Sequence, residues 1–108
     1  MQNANFLRVL RQANRSRQRT MIPSASDRQI LALCDVVAHL LQGHVPILPR
    51  DRSHFRRWRL VMRQLISPRI SIARKKETLL SHCELIPRLL RDYYLARILI
   101  RILRDRES

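Results

Sequence analysis

The sequence predicts an all-α protein, a small bundle of four to five helices with a basic N-terminal arm. Its apolar residues recur three and four positions apart, and the long β-branched alternation of half-buried strands is lacking. A single glycine, Gly43, and five prolines punctuate the 108 residues, which suits helices joined by short turns. Hydrophobic residues make up 45% of the chain, too many for a disordered basic tail, so a packed core is expected despite the charge. The chain divides into a basic amphipathic arm with a short helix over residues 1–25 and a helical bundle domain over residues 26–108. A chain of this size buries only about two-thirds of its unfolded surface. Its stability should therefore be modest and should rise with a bound polyanion, or in a homodimer.

Residues 4–13 predict a short amphipathic helix through Phe6, Leu7 and Leu10. The following run sets Arg15, Arg17 and Arg19 in an arginine-rich segment of the kind that orders on nucleic acid or serves in nuclear localisation, with a solvated arm as the alternative. Pro23-Ser24-Ala25 marks a break. Ser26-Asp27-Arg28-Gln29 has the form of a capping box, and the helix it starts should stop at Gly43, a left-handed C′ residue. Its apolar residues, Ile30 through Leu41, wrap most of the circumference, which places this helix at the bundle centre.

Pro49 suits the first turn of a helix reaching Ile66. On it Phe55, Trp58, Met62 and Leu65 line one stripe, and Arg52, Arg56, Arg59 and Arg63 line a second roughly a quarter-turn away. Arg57 flanks the basic stripe, and Asp51 is the one acid on this helix. Ser67-Pro68 closes it, and Ser71 caps a helix that carries Arg74, Lys75 and Lys76 outside and Ile72, Leu79 and Leu80 inside. Three cations in a first turn oppose the helix dipole, which a bound phosphate would relieve, with Glu77 as the local alternative. Pro87 should begin a last helix to about Asp105. Its apolar face, Leu95, Ile98, Leu99, Ile102 and Leu103, either docks on the bundle or binds a partner. Tyr93 and Tyr94 either stack on bases or seal the core.

Charge selects the function class. All but two of the 22 Lys and Arg are arginine, the exceptions being Lys75 and Lys76, and eight acids leave a net charge of +14. A chain so positive is built to meet a polyanion, and guanidinium groups pair bidentately with phosphate. Catalysis is not expected, because the acids are scattered among arginines, and the one glycine excludes most phosphate-cradling loops. The histidines at 39, 44, 54 and 82 and the cysteines at 34 and 83 lack zinc-ligand spacing, so no metal or other cofactor is expected. Both cysteines fall in apolar helical contexts, as buried thiols of a reducing compartment would. Arg8 and Arg11 interrupt the N-terminal apolar residues, and no window of about 18 residues is free of charge, so neither a secretory signal nor a spanning helix is expected.

The segment from Asp27 to Leu80 adds a resemblance. Leu41-Gln42-Gly43-His44-Val45-Pro46, then Leu48-Pro49-Arg50, a basic helix, and Ser71-Ile72-Ala73-Arg74-Lys75-Lys76 make it similar to short basic proteins encoded by adintovirus-like and adomavirus-like DNA viruses and by Polinton-type mobile elements of animals. The resemblance covers about half the chain. It implies a helical, virus-encoded or transposon-encoded basic protein, either genome-associated or a minor structural one.

The expected function is therefore non-enzymatic binding of nucleic acid, DNA ahead of RNA, by tracking phosphates with little sequence preference, in the host nucleus or the virion. Arg52, Arg56, Arg59 and Arg63 would follow a backbone, Arg74, Lys75 and Lys76 would clamp it, and Arg15, Arg17 and Arg19 would form the arm. The alternative is a module that binds a capsid or scaffold protein through the C-terminal apolar face. A helix-turn-helix across the Pro46–Pro49 loop is a further reading, with His54 and Gln64 as the only neutral groups on the basic helix able to read bases.

Overall fold

Four other helices pack against helix α3, Asp27–Leu41, whose ends are fixed by its own sequence. In the computed structural model, which describes residues 3–107 and the side chains of residues 3–101, Ser26 Oγ accepts from Gln29 N–H while Gln29 Oε1 accepts from Ser26 N–H, a complete capping box. Gly43, at φ 74°, turns the chain out of the helix. His44 N–H bonds to His39 C=O at 3.1 Å and Gly43 N–H to Leu40 C=O at 3.3 Å, the paired bonds of a Schellman terminus. Ile30, Leu33 and Val37 are fully buried, each worth about 1.5–3 kcal/mol of burial. Packing of the helices at Ala4–Gln12, Arg59–Ile66, Ile72–Ser81 and Asp92–Glu107 against α3 places it at the bundle centre, as its circumferential hydrophobicity requires.

The described residues are all helix and turn, but they form eight α-helices and one 3-10 turn where the sequence suggests four to five helices. Helix α1, Ala4–Gln12, buries Leu7 and Leu10 and packs on α3. The run expected as an arm is helix α2, Arg15–Ser24, capped by Asn14, whose side chain accepts from Arg17 N–H at 2.8 Å. Gln18 and Ile22 are buried, and α2 packs on the helix at Ile72–Ser81, so these residues belong to the bundle.

The helix expected from Pro49 to Ile66 is divided into α4, Pro49–Arg57, and α5, Arg59–Ile66. Trp58 departs from helical geometry at φ −101°, ψ 20°, yet its N–H still reaches His54 C=O and its C=O still accepts from Met62 N–H. The result is a bend at one residue. Ser71 caps α6, Ile72–Ser81, through Arg74 N–H. The last expected helix is likewise divided. A 3-10 turn at Cys83–Leu85 leads to α7, Ile86–Leu89, and Leu90, at φ −100°, ψ 17°, separates it from α8, Asp92–Glu107. Cys34 and Cys83 are free and buried. The Cα radius of gyration, 13.0 Å, is that of a compact domain of this length.

Candidate nucleic-acid interface

The basic stripe survives folding. Arg52 and Arg56 on α4, and Arg59 and Arg63 on α5, are all exposed, and none pairs with a carboxylate among the described residues. On the adjacent stripe Phe55, Met62 and Leu65 are buried and Trp58 is half-buried. The bend leaves His54 stacked on Trp58, centroids 5.8 Å apart, with the Arg57 guanidinium 5.7 Å from the indole centre. Arg56 and Arg59 also rim a hollow of about 200 Å³ with Leu40, Ile47 and Phe55 in its walls, and the neighbouring Leu60 is 74% exposed.

Asp51 explains why this face points outward. It stands four residues before Phe55, so it shares the core stripe and is completely buried. Its Oδ2 accepts from Tyr94 Oη at 2.6 Å and Arg91 Nε at 2.8 Å, while Arg88 lies 3.6 Å from Oδ1. Tyr94 Oη in turn accepts from Leu48 N–H at 3.0 Å. This network ties the start of α4 to α7 and α8. Burial pushes the Asp51 carboxyl up, but hydrogen bonds from Arg91 and Tyr94, with the charges of Arg91 and Arg88, hold it below its usual range. Burial and the hydrogen bond to Asp51 push the Tyr94 phenol up to about 12. Tyr94 is therefore a core residue, and the half-buried Tyr93 holds the Arg97 guanidinium 3.7 Å over its ring.

The expected phosphate clamp at the start of α6 is not built. Lys75 stands between Ile72 and Leu79 on the inner face and is 5% exposed. It lies near the Cys34 thiol, which burial pushes up to about 11 against the opposing charge of Lys75. Lys76 Nζ donates to Ala25 C=O at 2.8 Å and Pro23 C=O at 3.1 Å. The C-terminal carbonyls of α2 thus supply the negative partner that a phosphate was expected to supply. Only Arg74 of the three is exposed. On α2, Arg15, Arg17 and Arg19 are exposed too, and α6 packs against both α2 and α5.

The described part of the apolar face of α8 is turned inward. Leu95, Ile98 and Leu99 are buried in the molecule's own core; the side chains of Ile102 and Leu103 lie outside the described residues. A second basic feature has no counterpart in the sequence reading. Arg11, Arg50 and Arg91, from three separate segments, converge on a cleft of about 400 Å³ beside the Asp51 network. His39 and His44 meet with Nδ1 atoms 2.9 Å apart, and no third metal-ligating group joins them among the described residues. No described helix is long and apolar enough to cross a membrane. Comparison with protein-family models, curated proteins and solved structures finds no match for this chain.

Proposed function

We propose that this protein binds nucleic acid, duplex DNA in preference to RNA, through its phosphates and with little sequence preference, as a non-enzymatic packaging or structural protein. The observation that carries the reading is the exposed stripe Arg52, Arg56, Arg59 and Arg63, left without acid partners among the described residues while Asp51 and Asp92 pair with Arg88, Arg91 and Arg11. Arg57, Arg74 and the α2 arginines Arg15, Arg17 and Arg19 extend the positive surface. Lys75, which is buried, and Lys76, which ties α6 to the end of α2, stand outside the interface. The resemblance of residues 27–80 to proteins of adintovirus-like elements favours a genome-associated role in a virion or host nucleus.

Neutralising four to six phosphates sets a log–log salt slope of about −4 to −5, hence a fall in affinity of several hundred- to a thousandfold between 50 and 200 mM salt. Fluorescence anisotropy on random-sequence duplex DNA and single-stranded RNA across a salt series measures it. Replacing Arg56 and Arg59 with Glu should make the slope shallower by about 2 with the fold intact. An unchanged affinity and slope in that variant rejects the interface.

A further inference from the structure

The arginines of the cleft are separate from the stripe. Arg50 lies about 150° around α4 from the stripe's mean direction on ideal helix geometry. Arg11 comes from α1, and Arg91 directly precedes α8. We infer that this cleft binds the phosphomonoester group of a nucleotide, whether a terminal phosphate of a nucleic acid or a free mononucleotide. The inference rests on the nucleic-acid reading only where the nucleotide is a chain end.

Size is the first argument. The cleft is shallow and open, and its volume of about 400 Å³ is in the range that holds a small ligand. Phosphates within a duplex lie along a convex ridge, where an exposed stripe on a helix meets them. A terminal phosphomonoester projects from its chain into such a cleft, and its charge of about −1.5 to −2 near neutral pH exceeds that of an internal diester.

The second argument is the state of the three guanidiniums. Arg91 is held by its Nε bond to Asp51 Oδ2, so its orientation is fixed by a buried carboxylate. Arg11 is held by Asp92, and Arg50 is exposed with no partner among the described residues. Arg91 is thus fixed before a ligand arrives and stays fixed when it binds, which lowers the ordering cost of binding. The remaining wall is apolar, with Leu48, Pro87 and the ring of Tyr93 offering surface for a sugar or base. Asp92 is the resident competitor. Its carboxylate is 86% exposed, so an incoming dianion displaces it from Arg11 without uncovering a buried charge.

The test uses the full chain, with adenosine 5′-monophosphate and adenosine as probes in calorimetry at 150 mM salt. Duplexes ending in 5′-phosphate or 5′-hydroxyl are compared in parallel by anisotropy. The monophosphate should bind at least tenfold more tightly than adenosine. Arg50→Ala should weaken it roughly tenfold, as loss of a charge-assisted contact does, and Asp92→Asn should strengthen it by removing the competing carboxylate. Melting curves establish that both variants are folded. A preference for phosphorylated ends assigns the cleft to chain termini, and monophosphate binding without that preference assigns it to free nucleotides. Equal binding of monophosphate and adenosine, or a monophosphate affinity indifferent to both substitutions, overturns the inference. The Arg56→Glu/Arg59→Glu variant keeps the two readings apart, because it should lose duplex affinity and retain the monophosphate site.

Discussion

Asp51→Asn tests the network that positions the basic stripe. The carboxylate is fully buried between Tyr94 and Arg91 on Oδ2, with Arg88 3.6 Å from Oδ1. Removing one partner of a buried ion pair costs about 3–5 kcal/mol. The lower end applies here, since the Arg91 and Arg88 side chains are 29% and 32% exposed and water reaches them once the charge is gone. A loss of about 3 kcal/mol from a domain whose total stability is of order 5–15 kcal/mol lowers Tm by roughly 10–20 °C. The effect should also depend on pH in a defined direction. Asp51 is held below its ordinary value of 3.8, so its stabilisation is present in full above that value and is lost as pH falls through the folded-state pKa. The wild type and the variant should therefore differ most above pH 4 and converge in stronger acid. Thermal denaturation followed by circular dichroism from pH 7 to pH 2 measures both. A Tm within 3 °C of wild type at pH 7, or a gap that persists unchanged into acid, refutes the assignment of Asp51 as the charged anchor.

Lys76→Met removes the ammonium from the Pro23 and Ala25 carbonyls and should cost about 1–2 kcal/mol in denaturant unfolding while leaving the DNA salt slope within 0.5 of wild type. A slope shallower by about 1 would mean that this lysine reaches a phosphate. Gly43→Ala meets no atom within 4 Å, so its cost of about 1 kcal/mol should come from the left-handed backbone alone, readable as a Tm fall of about 4–8 °C. Added sodium chloride should raise the Tm of the free protein by screening its like charges and lower its affinity for DNA, and both signs can be read from one salt series.

Elements whose ends carry their own chemistry are legible in the sequence. The capping box at Ser26, the Gly43 terminus, Pro49 in a first turn and Ser71 as a cap all stand where local residue types place them. The breaks at Trp58 and Leu90 have no such mark. Each is an apolar residue near φ −100°, ψ 20° whose N–H keeps its bond four residues back, so neither proline nor glycine is needed. Pro87 does stand in the first turn of a helix, but that helix lasts only to Leu89, and Asp92 starts the longer one. Asp51 and Lys75 were hidden by their charge. Spacing alone puts Asp51 one turn before Phe55 and Lys75 between Ile72 and Leu79, both on core faces. Reading position ahead of residue type would have flagged each as a buried ion. The cleft at Arg11, Arg50 and Arg91 joins residues up to 80 positions apart, which no local pattern encodes.

The same geometry explains why the acids leave the stripe unneutralised. Asp51 is the only acid on α4 and α5, and it lies about a quarter-turn from the arginines, facing the core. Residues one apart on a helix do not face each other, so Arg50 and Arg52 cannot reach its carboxylate side by side, and its partners come from α7 and the start of α8. Asp92 turns to Arg11 on α1, again across helices. The pairs 52/56 and 59/63 meanwhile set like charges four apart, each costing about 0.2–0.5 kcal/mol in the free protein. That cost is small beside the burial of Phe55, Met62 and Leu65 on the adjacent stripe, so the core holds the arginines together against their repulsion. A polyanion laid along them removes the repulsion and adds attraction in the same step, so binding stabilises the fold through the stripe whose charges oppose it in isolation.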